Sequence, residues 1–207
     1  MSKLECVVYR IGHKGKPSAP FDRGAARAGK VDEVNSNEFV VKGASLAVRK
    51  HQRYALFQSH HMEYGDCHNW AVRNGALAYL ACHLNAHKDP SISGGKFFYH
   101  PETSAGNGDR LAEILAERTA EWGERWLKRP YKTQAIRSSP SDWTKNAYYT
   151  IKKFGAGVRG VAICCEPLFV SNPTDRRKLC TPKALAQLGE VYDASILQWM
   201  DERDLFA

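Results

Sequence analysis

The sequence predicts an α/β protein with a mixed, mostly antiparallel sheet flanked by helices. Three observations carry that prediction. Short runs of β-branched and aromatic residues recur, at 4–11, 97–99 and 161–170. Between them lie stretches with apolar residues at helical spacing, clearest at Leu111, Ile114, Leu115, Trp122 and Trp126. An Asn74-Gly75 pair stands between two further apolar runs and reads as a tight hairpin turn, because both residues tolerate positive φ.

Taken in order, residues 4–11 form the first predicted strand. Residues 12–37 are rich in Gly, Lys, Pro and Asn and read as a basic loop, with Lys14, Lys16, Arg23, Arg27 and Lys30. Such a loop is either solvated surface or an arm for an acidic substrate. A short strand is expected at 38–42 and a helix at 44–60, with Leu46, Val48, Tyr54, Leu56 and Phe57 apolar. The Asn74-Gly75 turn then sets strands at 68–73 and 76–84. Residues 85–94 connect to a strand carrying Phe97, Phe98 and Tyr99, and a helix runs from Gly108 to Leu127 until Pro130 stops it. Residues 131–137 are strand-like. Ser139-Pro140-Ser141-Asp142 opens a helix, with Ser139 as cap and Pro140 at the first position. In the run 161–170, Glu166-Pro167 interrupts the strand, since proline donates nothing to a ladder. Thr181-Pro182 opens a last helix over 182–204, with Leu185, Leu188, Tyr192, Ile196 and Trp199 inward.

A chain of 207 residues with 43% apolar and 25% charged residues fits one domain over 1–207 with a real core. It has no apolar run of membrane-spanning length and no signal-like N-terminus, so a cytoplasmic location and no membrane partner are expected. Six cysteines without a Cys-x-x-Cys spacing read as reduced thiols, with Cys164 and Cys165 on opposite faces of a strand. The net charge of +8 favours a polyanionic partner, either nucleic acid or a phosphate-rich cofactor.

Residues 95–110 hold the most suggestive motif. A short apolar strand leads through Thr103-Ser104-Ala105 to Gly106-Asn107-Gly108, where a helix begins. Unpaired backbone N–H groups and the positive end of the helix dipole would make a seat for phosphate.

This segment resembles the GNAT acyltransferases. Three features match: the turn at Asn74-Gly75, the strand ending in His100-Pro101-Glu102, and the glycine loop before an amphipathic helix. Thr103 stands where that family has Arg or Gln, and Asn146-Ala147-Tyr148-Tyr149 matches its second signature only at shortened spacing. The resemblance implies acetyl-CoA or another acyl-CoA as cofactor. Phe98 and Tyr99 would line its pantetheine arm, and Ala105, Gly106, Asn107, Gly108, Asp109 and Arg110 its pyrophosphate. Tyr148 or Tyr149 would protonate the leaving thiolate, with His100, Glu102 or His83 as base. His60, His61 and Tyr64 are similar to a histidine-rich region of Mom-type phage DNA-modifying enzymes, which implies a nucleic-acid base as acceptor and a phage-encoded protein acting in the host cytoplasm.

Two other readings compete. Gly65-Asp66-Cys67-His68-Asn69-Trp70 resembles the nucleophile neighbourhood of papain- or transglutaminase-like hydrolases, with Cys67 and His100 as the pair. That chemistry needs a helix starting at Cys67, which the Asn74-Gly75 turn argues against. The third is a non-catalytic nucleic-acid-binding protein, for which the charge and the Trp, Tyr and Arg residues at 122–137 would serve.

Overall fold

The computed structural model describes residues 4–13, 24, 31–59, 62–100, 107–138 and 160–204. Their elements, in chain order, are β1 (Cys6–Ile11), α1 (Glu33–His51), β2 (Ala55–Gln58), α2 (Tyr64–Arg73), β3 (Ala78–Cys82) and β4 (Gly95–Tyr99). There follow α3 (Gly108–Leu127), β5 (Thr133–Arg137), β6 (Val161–Glu166), α4 (Pro173–Leu179) and α5 (Pro182–Asp204). The strands make one mixed sheet in the order β2-β1-β3-β6-β4-β5, with helices on both faces. The α/β class and the mixed sheet are as expected. Most pairs are parallel, however, and only β4 against β6 is antiparallel. Parallel neighbours need crossover connections, and α1 and α2 supply them, α2 where part of a hairpin was expected.

The main correction lies at Asn74-Gly75. No hairpin forms there: residues 64–73 are helix α2, and Gly75 (φ 60°) is its left-handed terminator. Gly75 N–H donates to Val72 O at 3.1 Å and Ala76 N–H to Ala71 O at 2.9 Å, the paired bonds of a Schellman C-cap. The glycine's positive φ serves a helix end as well as it serves a hairpin, so the dipeptide alone does not choose between them.

The second correction concerns 12–60. Helix α1 starts at Glu33, inside the expected loop, and absorbs the expected strand at 38–42. Asp32 caps it by accepting from Asn35 N–H at 3.0 Å. Its buried face is built of Val34, Val40, Val41, Ala44, Ala47 and Val48, small and β-branched residues that hide a helical period. The helix predicted for 139–154 lies outside the described residues.

The larger core lies between the sheet and α1, α3 and α5, around Tyr9, Phe97, Trp122, Tyr192 and Trp199. The inward positions expected on the last helix, Leu185, Leu188, Tyr192, Ile196 and Trp199, are all buried. A smaller cluster of Val8, Cys67, Ala71, Tyr79, Ala81 and Ala162 packs α2 on the other face. As expected, Cys164 and Cys165 face different clusters. Because β1, β3 and β6 run in the same direction, their C-terminal ends share one edge of the sheet, where sites of open α/β folds are built. No described helix is long and apolar enough to cross a membrane.

Candidate metal centre

At that edge the backbone ladder continues one residue past each strand. Gly12 N–H donates to Cys82 O at 2.8 Å, and His83 N–H donates to Cys165 O at 2.9 Å. These bonds set His13 beside the end of β3 and His83 beside the end of β6. Helix α1 begins at the same edge and presents Glu33 from its first turn. Glu33 Oε1 lies 3.1 Å from His83 Nδ1 and 3.6 Å from His13 Nε2, and it accepts from Leu84 N–H at 3.0 Å. One ligand atom from each of the three residues lies within 4.8 Å of the others.

The donor set and spacing fit a divalent transition metal. Ligand atoms of a tetrahedral zinc ion, with bonds of about 2.0 Å, stand roughly 3.3 Å apart. The two separations from Glu33, 3.1 and 3.6 Å, fall on either side of that. Glu33 is 1% exposed, and a carboxylate so deeply buried is stable only against positive charge and hydrogen bonds. Gly12 lets the His83 ring pack directly on the backbone: a Cβ there would overlap the ring and the Cys82 carbonyl. His13 is partly exposed and holds a left-handed φ of 62°, a conformation costly for a non-glycine residue and common at functional sites.

A fourth residue completes the constellation. Glu166 ends β6, directly after the residue that pairs with Cys82. It is half-buried, and Asn85 Nδ2 donates to its Oε2. Burial pushes its carboxyl above the ordinary value, while the charges of His83 and Lys96 pull the other way. A carboxyl tuned upward beside a metal-type cluster suits proton transfer.

The residues expected to bind acyl-CoA are placed otherwise. Phe98 is buried against Cys164, and Tyr99 is half-buried. Their strand β4 is fully paired with both β5 and β6, so no splayed opening exists for a pantetheine arm. Arg110 Nε and Nη2 are engaged by Glu202 at 2.7 and 3.0 Å, which holds the Glu202 carboxyl down at about 2. Asp109 caps Arg110 N–H, Asn107 O accepts from Trp199 Nε1, and Gly108 is buried. His100 is buried. Glu102, Ala105, Gly106, Tyr148, Tyr149, His60 and His61 lie outside the described residues, as does the side chain of Tyr64. Cys67 does lie in the first turn of a helix, but it has no exposed surface and accepts from Tyr79 OH at 3.5 Å. A thiol sealed from solvent reaches no substrate.

The donor set at this edge is of a kind that holds a metal ion, not an acyl-CoA. The family model for N-acetylmuramoyl-L-alanine amidase matches residues 7–198, and the chain belongs to that family. The fold agrees with three solved amidases. The N-acetylmuramoyl-L-alanine amidase AmiC2 of Nostoc punctiforme is 19% identical, with TM-score 0.75 over 97% of this chain and 99% of that one. The amidase from Clostridium difficile 630 is 19% identical, with TM-score 0.75 over 97% and 98%. The catalytic domain of CwlV from Bacillus (Paenibacillus) polymyxa is 16% identical, with TM-score 0.74 over 96% and 99%. No curated protein sequence matches.

Family membership overturns the acyltransferase reading, and with it the acyl-CoA cofactor and the nucleic-acid acceptor. The glycine loop and the helix after it are common to many α/β proteins, and without the family's Arg or Gln they carried too little information. The alternative hydrolase reading had the right reaction class with the wrong nucleophile. Of the residues at the centre, only His83 stands out in the sequence as a chemical group. His13 and Glu33 lay inside a segment read as surface loop, and Glu166 was read only as a strand end. The available signal was a histidine just past a strand and a capped helix opening on a glutamate.

Proposed function

We propose that this chain hydrolyses the amide bond between the lactyl group of a muramoyl residue and the L-alanine of a peptidoglycan stem peptide. The convergence of His13, Glu33 and His83 at the sheet edge carries the reading. Two imidazoles and a carboxylate would hold a zinc ion by three ligands, leaving room for substrate. When bound, the ion supplies Lewis acidity toward the scissile carbonyl and toward water.

The chain's own residues do the rest. Glu166 accepts a proton from the attacking water as the new C–O bond forms. It returns that proton to the departing nitrogen as the C–N bond breaks. The products are a muramoyl carboxylic acid and a free alanine amine, and Glu166 ends as it began. Its raised affinity for a proton favours the first half of this shuttle, the uptake of a proton from water. His83 N–H, bonded to Cys165 O, keeps the ring at a fixed distance from the Glu166 backbone.

The proposed catalytic unit is one domain over 1–207. Synthesis is placed in the cytoplasm, where the six free cysteines stay reduced, and the substrate is met at the cell wall.

The test is to load the purified chain with zinc, incubate it with purified peptidoglycan, and identify the released ends by mass spectrometry. New free N-terminal alanine is the expected product. Stoichiometric zinc binding with no alanine released would overturn the assignment.

A further inference from the structure

We infer that Asn85 is a positioning residue for Glu166, fixing which of its two carboxylate oxygens faces the metal centre. The inference rests on Glu166 being the proton-transfer group proposed above.

Asn85 is held by its main chain to the segment that follows Glu166. Its N–H donates to Leu168 O at 3.0 Å, and its carbonyl accepts from Val170 N–H at 2.9 Å. The pair forms a parallel bridge with Phe169 that carries the sheet past the break at Pro167. That segment is itself tied down. Tyr131 OH donates to Pro167 O at 2.9 Å, and Asn172 Nδ2 donates to Pro90 O at 3.0 Å. Asn85 therefore has little freedom relative to Glu166.

Its side chain has one orientation. Oδ1 accepts from Ala86 N–H at 2.7 Å, which leaves the amide N–H group as the donor to Glu166 Oε2. Among the described residues no other side-chain hydrogen bond reaches the Glu166 carboxylate, so Oε1 carries no fixed donor. A carboxylate rotates easily about its last bond and offers two equivalent oxygens. A fixed donor on one of them removes that degeneracy and points the other at the reacting atoms. Such alignment matters in the transition state and little in substrate binding, so its loss lowers kcat and leaves KM unchanged.

The experiment compares Asn85→Ala, Glu166→Ala and the double variant with the wild type. Because the bridge to Phe169 uses only main-chain atoms, Asn85→Ala keeps it and folds. Asn85→Ala is expected to lower kcat about 10- to 100-fold, with KM and chelator-measured zinc affinity unchanged. In the Glu166→Ala background it should cost nothing further, since there is no carboxylate left to orient. A second readout uses metal-free protein. The ¹⁵N-resolved side-chain amide protons of Asn85 should shift and exchange faster in Glu166→Ala. Full additivity of the two losses, a parallel loss of zinc affinity, or an unmoved amide signal would each overturn the inference while leaving the amidase assignment standing. A zinc-loaded wild type without amidase activity would overturn both.

Discussion

Helix α1 carries an imidazole–carboxylate pair at each end, and the two pairs are almost equal in length. At its start, Glu33 lies 3.1 Å from His83. At its finish, His51 lies 3.0 Å from Asp193 of α5. Only the first is built as a metal centre. Glu33 is joined by a second histidine, His13, and it sits on the edge where Glu166 ends β6. Asp193 is instead joined by Tyr54, whose hydroxyl donates to the same Oδ1 at 2.7 Å. Burial raises the Tyr54 hydroxyl well above its usual range, so that donor never becomes a ligand anion. The contrast teaches that a histidine–acid contact by itself says nothing about metal. What decides is a third donor of ligand type beside the pair, against a hydroxyl that occupies that place.

The sharpest way to break this contrast is to remove a donor from each end. Glu33→Ala and His83→Ala should abolish zinc binding and activity together, read by metal analysis and by alanine release. Asp193→Asn should leave bound zinc and kcat unchanged. If Asp193→Asn released the metal, the two ends would be coupled through α1, and the division between a chemical end and a structural end would fall.

The same contrast shows how much was legible in the sequence. The strands at 4–11, 97–99, 131–137 and 161–166 could be read, as could helices α3 and α5, because each has an apolar period and a clear stop. Helix α1 could not. Its buried face is Val and Ala, without the long residues that mark a helical stripe, and its polar Asn37 and Ser36 are buried too. With the start of α1 hidden, Glu33, one of the three proposed ligands, is hidden too. His13 and His83 are 70 residues apart, and only the parallel pairing of β1 with β3 brings them together. Sequence spacing contains no trace of that pairing, whereas the Asn74-Gly75 dipeptide was visible and pointed the wrong way.

Next in size is Glu166. Glu166→Gln should lower kcat about 10²- to 10⁴-fold while zinc stays bound, because the amide keeps the shape and loses the proton shuttle. The pH profile sharpens the assignment. Glu166 must start unprotonated to accept from water, and burial raises its pKa. Activity should therefore fall on acidification at a pH above the ordinary glutamate value of 4.5, not below it. An acid limb at or below that value would assign the base elsewhere.

The smallest effect belongs to the structural end of α1. Tyr54 is buried at 1% exposure, and its bond to Asp193 ties the turn after α1 to α5. Tyr54→Phe keeps the ring packing and removes only the hydroxyl. Asp193 retains His51 at 3.0 Å, so it is not left alone. The expected cost is about 1–2 kcal/mol of stability, measured by urea unfolding at unchanged slope. Zinc affinity and kcat should not move, because the metal ligand on α1 lies at the opposite end of a 19-residue helix, about 28 Å long at 1.5 Å per residue. A change in kcat with this variant would mean that the tilt of α1 against α5 sets the position of Glu33, and the two ends of the helix would then form a single functional unit.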